Sequence, residues 1–115
     1  MLNVAGDAQG IGAGVLIRAA EPLQGAMLMQ SRRGAATLRD LARGPGRLAQ
    51  AMAIGLELDG IDLTQPGPLW LGQIDRPVGE IGVSVRIGIS KDTDRPLRFF
   101  ERASPFVSGR NALNA

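Results

Sequence analysis

Residues Val15 to Leu23 (VLIRAAEPL) form an apolar run that is interrupted by a single charge, Arg18, and closed by Glu21-Pro22. A glycine-rich stretch, Ala5 to Gly14, precedes the run, and Gly25 follows it. A charge inside a buried strand is costly unless it has a partner or a task. The rest of the chain can be read as support for this strand. It predicts a small mixed α/β domain with a basic working face. At 115 residues there is room for one domain with a core, and not for two.

Missing residue types narrow the chemistry. The chain has no cysteine, so it makes no disulfide and no thiolate metal site. It has no histidine, which removes the commonest general base and metal ligand, and no tyrosine. Carboxylates, Arg and Lys, hydroxyls and the backbone remain, which excludes Ser-His-Asp catalysis and metal hydrolysis. Net charge is only +2, but of 13 basic residues Lys91 alone is lysine. Arginine forks suit phosphate, which points to an anionic partner. Arginine written for lysine over a solvated surface explains the composition equally well. No run of 18 apolar residues is present, and the N-terminus has no basic and apolar leader. The expectation is a cytoplasmic protein without a membrane span.

In chain order, Met1 to Val4 reads as a strand tail and Val15 to Ala19 as a second strand, with a long-turn hairpin between them. Gly6, Gly10 and Gly12 in that turn mimic a dinucleotide fingerprint. The segment that follows is β-leaning and ends at Pro22, so the plain-turn reading is preferred over an NAD-binding oxidoreductase. Ala26 to Arg33 predicts a helix stopped at Gly34. Thr37 with Asp40 suggests a cap opening a short helix to Arg43. After the break at Gly44-Pro45-Gly46, residues Leu48, Ala51, Met52 and Gly55 recur at helical spacing. Arg47 then sits in a first turn, where a cation opposes the helix dipole. A phosphate facing Arg47 would make sense of that placement, and so would simple solvation. Leu69, Trp70 and Leu71 suggest a buried anchor. Ile81 to Ile89 alternates apolar residues with Gly82, Ser84, Arg86 and Gly88, which predicts a strand with one dry face. A polar turn from Ser90 to Pro96 leads to a last strand, Leu97 to Phe100, and a bend at Ser104 to Ser108.

The ordered set LNV, VLIRAAEPL, RRG, GPGRLAQAM, DGIDL, RIGI, PLRFF and SPFVS resembles the alkyladenine (3-methyladenine) DNA glycosylase family over nearly all 115 residues. No single motif is specific, but their joint order is. The resemblance implies a mixed α/β (α+β) fold with a curved, mostly antiparallel sheet and packed helices. Residues 1–115 would be the C-terminal part of that single domain. It also implies base-excision repair without metal or cofactor. A purine such as 3-methyladenine, 7-methylguanine or hypoxanthine is flipped from double-stranded DNA and its N-glycosidic bond is hydrolysed.

By the same resemblance, Asn3 falls on the pocket asparagine that crowds the 2-amino group of guanine. Arg18 falls on the arginine beside the attacking water and the phosphate of the flipped nucleotide. Ile87 falls where a main-chain carbonyl holds that water, and Arg47 falls on a basic position near the DNA backbone. The family's general-base Glu, its base-stacking Tyr and His and its intercalating Tyr all precede the LNV strand. Glu21 does not replace that base, because the family carries a matching Glu-Pro besides it. The expectation is a missing N-terminal half, an inactive chain when alone, and a bacterial-type, nucleoid-associated location. A non-catalytic DNA-binding or partner module is the alternative.

Overall fold

The computed structural model describes residues 1–6, 14–85, 96–109 and 114. Two helices and two small antiparallel sheets are present among them, and the sheets do not join. This is the mixed α/β class implied above, with the sheet in two separate pieces. No helix among the described residues is long and apolar enough to cross a membrane.

The first hairpin pairs β1 (Asn3–Ala5) with β2 (Gly14–Leu16), Asn3 lying opposite Leu16 and Ala5 opposite Gly14. The strand that follows the glycine loop is thus not a helix, which removes the structural basis of the nucleotide fingerprint. Residues 7–13 of that loop lie outside the described residues. β2 is shorter than Val15 to Ala19. Beyond it the chain turns to a different neighbour, through a bridge between Ala19 and Arg43 and a 3.1 Å bond from the Ala20 N–H to the Ala42 carbonyl.

Helix α1 (Ala26–Arg33) ends as its sequence dictates, with Gly34 in the left-handed region (φ 71°) and its N–H bonded to the Gln30 carbonyl. Arg32 and Arg33 occupy its last turn, where cations favour the dipole. The helix expected from Thr37 to Arg43 is instead one 3-10 turn, Leu38–Asp40, without a capping bond from the Thr37 side chain to the backbone. The Asp40 carboxylate is taken by Arg43, at 2.9 Å from Nε and 2.7 Å from Nη2. That competition leaves no cap to propagate the turn.

Helix α2 (Pro45–Ala51) starts inside the Gly-Pro-Gly break, because a first-turn proline loses only an N–H that had no helical partner. It stops at Ala51, short of Met52 and Gly55. Ala53 turns left-handed there (φ 53°), and the Ile54 N–H closes on the Ala49 carbonyl at 2.8 Å.

Helix α2 and the turn that precedes it hold most of the core. Leu41, Ala42, Leu48, Ala49 and Ala51 are buried with Phe100, and α1 packs on α2. Much of that packing is fastened by polar groups. Arg32 Nη1 donates to the Ala51 carbonyl (2.9 Å), and Gln50 Nε2 donates back to the Arg32 carbonyl (3.0 Å).

Two expectations about burial fail. Trp70 and Leu71 are each 55% exposed, in a proline-punctuated segment with no regular element across it, while Leu69 is half-buried and the Leu71 N–H bonds to the Leu63 carbonyl at 2.8 Å. The second hairpin pairs β3 (Ile81–Ser84) with β4 (Arg98–Glu101), Val83 lying opposite Phe99 and Ser84 opposite Arg98. Its dry face is the reverse of the expected one. Gly82, Arg98 and Phe100 are buried, whereas Ile81, Val83, Val85, Leu97 and Phe99 are exposed. The cause is local: Phe100 lies so close over Gly82 that a Cβ there would overlap its ring. The continuation of this strand to Ile89, and the turn after it, lie outside the described residues.

Candidate functional site

The two hairpins line a common open cleft of about 930 Å3. Asn3 and residues 14–21 form one side, and Ile81 and residues 97–101 form the other. Arg76 reaches both, with Nη2 3.6 Å from Glu21 Oε2 and Nη1 3.7 Å from Glu101 Oε2. Pairs this long and this exposed contribute less than about 1 kcal/mol each. They tie the rims loosely.

Backbone bonds fix the position of Arg18. The Ile17 N–H donates to the Leu2 carbonyl at 3.0 Å, and two residues past Arg18 the Ala20 N–H bonds to Ala42. Arg18 is therefore carried between two anchored neighbours at the point where the chain leaves β1. Its Nε is buried without a hydrogen-bond partner. A buried donor left unbonded costs about 1–3 kcal/mol, which a ligand oxygen would relieve.

Arg98, on the opposite side, is 4% exposed. Its Nη1 donates to Ser84 Oγ at 2.8 Å, and its Nη2 donates to the Ser108 carbonyl at 2.5 Å and to Asn114 Oδ1. Its guanidinium carbon lies 4.7 Å from the centre of the Phe100 ring. Desolvation, and secondarily the charge of Arg18, hold the Arg98 pKa below its ordinary value.

The structure thus brings Asn3 and Arg18 into one cleft and leaves Arg47 out of it. Asn3 is exposed at the start of β1. Arg47 is exposed in the first turn of the seven-residue α2 and forms no hydrogen bond or ion pair among the described residues. Ile87 lies outside the described residues. Arg98 and Arg76 are the cleft residues that the sequence did not announce. The signal for Arg98 was present, since it is a lone charge inside an apolar strand, as Arg18 is. Among the described residues, no group of three or more carboxylates is placed to hold a metal ion.

Comparison with known proteins gives the frame for this cleft. The family model described as methylpurine-DNA glycosylase matches residues 1–105. A protein of Mesorhizobium japonicum named "Putative 3-methyladenine DNA glycosylase" is 58% identical over 113 residues, covering 98% of this chain and 54% of the relative. Proteins of the same name from Paraburkholderia phytofirmans and Rubrobacter xylanophilus are 50% and 44% identical, with 53% and 63% of their lengths covered. The chain spans about half the length of the first two curated relatives. With a family match over most of its residues and relatives this similar, the chain belongs to the methylpurine-DNA glycosylase family.

Proposed function

We propose that residues 1–115 supply the arginine-bearing wall of a DNA glycosylase site that removes alkylated or deaminated purines in base-excision repair. One observation carries this reading. Of the nine described arginines, seven are engaged within the fold: Arg32, Arg33, Arg39, Arg43, Arg76, Arg98 and Arg102. The two without a hydrogen bond or ion pair are Arg18 and Arg47, the pair that family position assigns to DNA. Arg18 would bind the phosphate of the flipped nucleotide and orient the attacking water, and Arg47 would bind the flanking backbone. Asn3, at the mouth of β1, would reject guanine by crowding its 2-amino group. The carbonyl role of Ile87 rests on family position alone.

Phosphate contacts release counterions, so duplex affinity should fall steeply with salt. Arg18→Ala and Arg47→Ala should each flatten the slope of log affinity against log salt by about one. A double variant that binds as tightly as the wild type, with the same slope, would remove the support for this reading.

The family's general base lies before the LNV strand, and the cleft carboxylates Glu21 and Glu101 face the Arg76 guanidinium at 3.6 and 3.7 Å. A polypeptide of these 115 residues should therefore bind a hypoxanthine-containing duplex without excising the base. Single-turnover excision that Arg18→Ala abolishes would show that this chain holds its own base. A non-catalytic DNA-binding module shares the binding result. It separates from the first reading when the N-terminal half of a relative is supplied, since only a glycosylase wall restores excision.

A further inference from the structure

We propose that Arg98 is the positioning residue for Arg18, a fixed like charge across the cleft that leaves the Arg18 guanidinium to be completed by a phosphodiester rather than by the protein. The inference rests on the DNA reading for its ligand, but its geometry stands apart from it. Arg98 is held by three separate pieces of chain. These are Ser84 of β3, Phe100 of its own strand, and the C-terminal segment through the Ser108 carbonyl and Asn114 Oδ1. Asn114 Nδ2 donates to the same Ser108 carbonyl (3.3 Å), which closes the clamp. A guanidinium bonded on several edges and stacked on a ring has almost no rotamer freedom, so its charge sits at one place.

Arg18 is the opposite case. Its backbone is anchored, its side chain lines the same cleft, and its Nε is buried with nothing to donate to. Two guanidinium groups in one partly buried cleft repel more strongly than they would in water. The clamped one cannot yield, so Arg18 is the group left to adjust its position. An anionic oxygen entering the cleft relieves that repulsion and satisfies the orphan Nε–H together. The site is prepared for an anion by an arginine that need not touch it.

Arg98→Met keeps the apolar stem and stacking volume and deletes the fixed charge. It is compared with Arg18→Ala, with the double variant, and with Leu41→Val, a core change outside the cleft. Two readouts are taken. One is the Arg18 Nε–H resonance in a nitrogen–proton correlation spectrum without DNA, and the other is affinity for a duplex containing an abasic-site analogue. The Arg18 resonance should move in Arg98→Met and stay in place in Leu41→Val. Affinity should fall about tenfold in either single arginine variant, the loss of one charge-assisted contact, and the double variant should lose no more than either. Should Arg98→Met fail to fold, Ser84→Ala removes one bond of the clamp and should move the same resonance by less. An unmoved Arg18 resonance, movement of equal size in Leu41→Val, or fully additive losses would each overturn the proposal. A wild-type chain that binds no duplex at any salt would sink the DNA reading, while the resonance would still decide whether Arg98 positions Arg18.

Discussion

Arg33, at the end of α1, donates from Nε to the Leu41 carbonyl at 3.0 Å and from Nη2 to the Asp40 carbonyl at 3.2 Å, and Arg39 reaches the Pro105 carbonyl 66 residues away. Most arginines of this chain work in this way, satisfying backbone carbonyls that no helix or sheet ladder claims. Arg33→Ala should destabilise by about 1–3 kcal/mol, because partly buried carbonyls lose a charged donor. Arg33→Lys should rescue little of that, since one ammonium does not span two carbonyls as a fork does. Urea midpoints compare the two variants. Ala53 offers the opposite sign. It sits in the left-handed conformation (φ 53°) that closes α2, where an L side chain is strained, so Ala53→Gly should raise stability by up to about 1 kcal/mol in a thermal melt. At acidic pH the responding groups are Asp40, lowered chiefly by its bond from Arg43, and Asp62, lowered by its bonds from Thr64. Both carboxyls bind protons less readily folded than unfolded. Their stabilisation is therefore complete above the unfolded value near 4 and is lost as pH falls through the lower folded values. With no histidine to titrate, the melting temperature should be level from pH 5 to about 8 and should fall below about pH 4.

At the level of elements, what was legible in the sequence was what short-range chemistry decides. Helix α1 was delimited to the residue by Gly25 and Gly34, while glycine punctuation between two apolar runs marked the β1–β2 hairpin without its strand ends. The Thr37 helix was lost to a competing side chain, because the pattern that suggests a cap does not say that Arg43 will take the carboxylate. The β3–β4 hairpin was read correctly as strands and wrongly as to its faces. Alternation gives the period of a strand, but which side is covered depends on what else the fold brings near it. Of the candidate site, Arg18 is legible as a charge out of place in an apolar run, and Arg98 is a charge of the same kind whose burial only the fold reveals. Gly82 tests the inverted face directly. Gly82→Ala would push a methyl into the Phe100 ring and through it disturb Arg98, at a cost of about 1–3 kcal/mol. Val83→Ala, on the exposed face one residue on, should cost far less in the same urea titration.

Over the whole molecule, the consequence of that inversion is a strip of large apolar side chains left open to solvent along the cleft wall, with Phe99 66% exposed beside Val83, Leu97 and Ile81. A contiguous apolar patch binds amphipathic dyes and promotes association. The chain alone should enhance anilinonaphthalene sulfonate fluorescence and elute at a concentration-dependent size. Phe99→Lys should reduce both without lowering the melting temperature, and unchanged dye binding in that variant would place the patch elsewhere. The pairing of elements has a separate consequence. β1 packs with β2, α1 with α2 and β3 with β4, each with its neighbour in the chain, and Arg39 reaches across to the Pro105 carbonyl. A pair of elements that are neighbours in the chain closes only a small loop and forms quickly. Each of these pairs should therefore form before the cleft does, because the cleft brings residues 14–21 against residues 97–101. Refolding followed by the fluorescence of the single, exposed Trp70 would miss those early events, whereas backbone circular dichroism would record them.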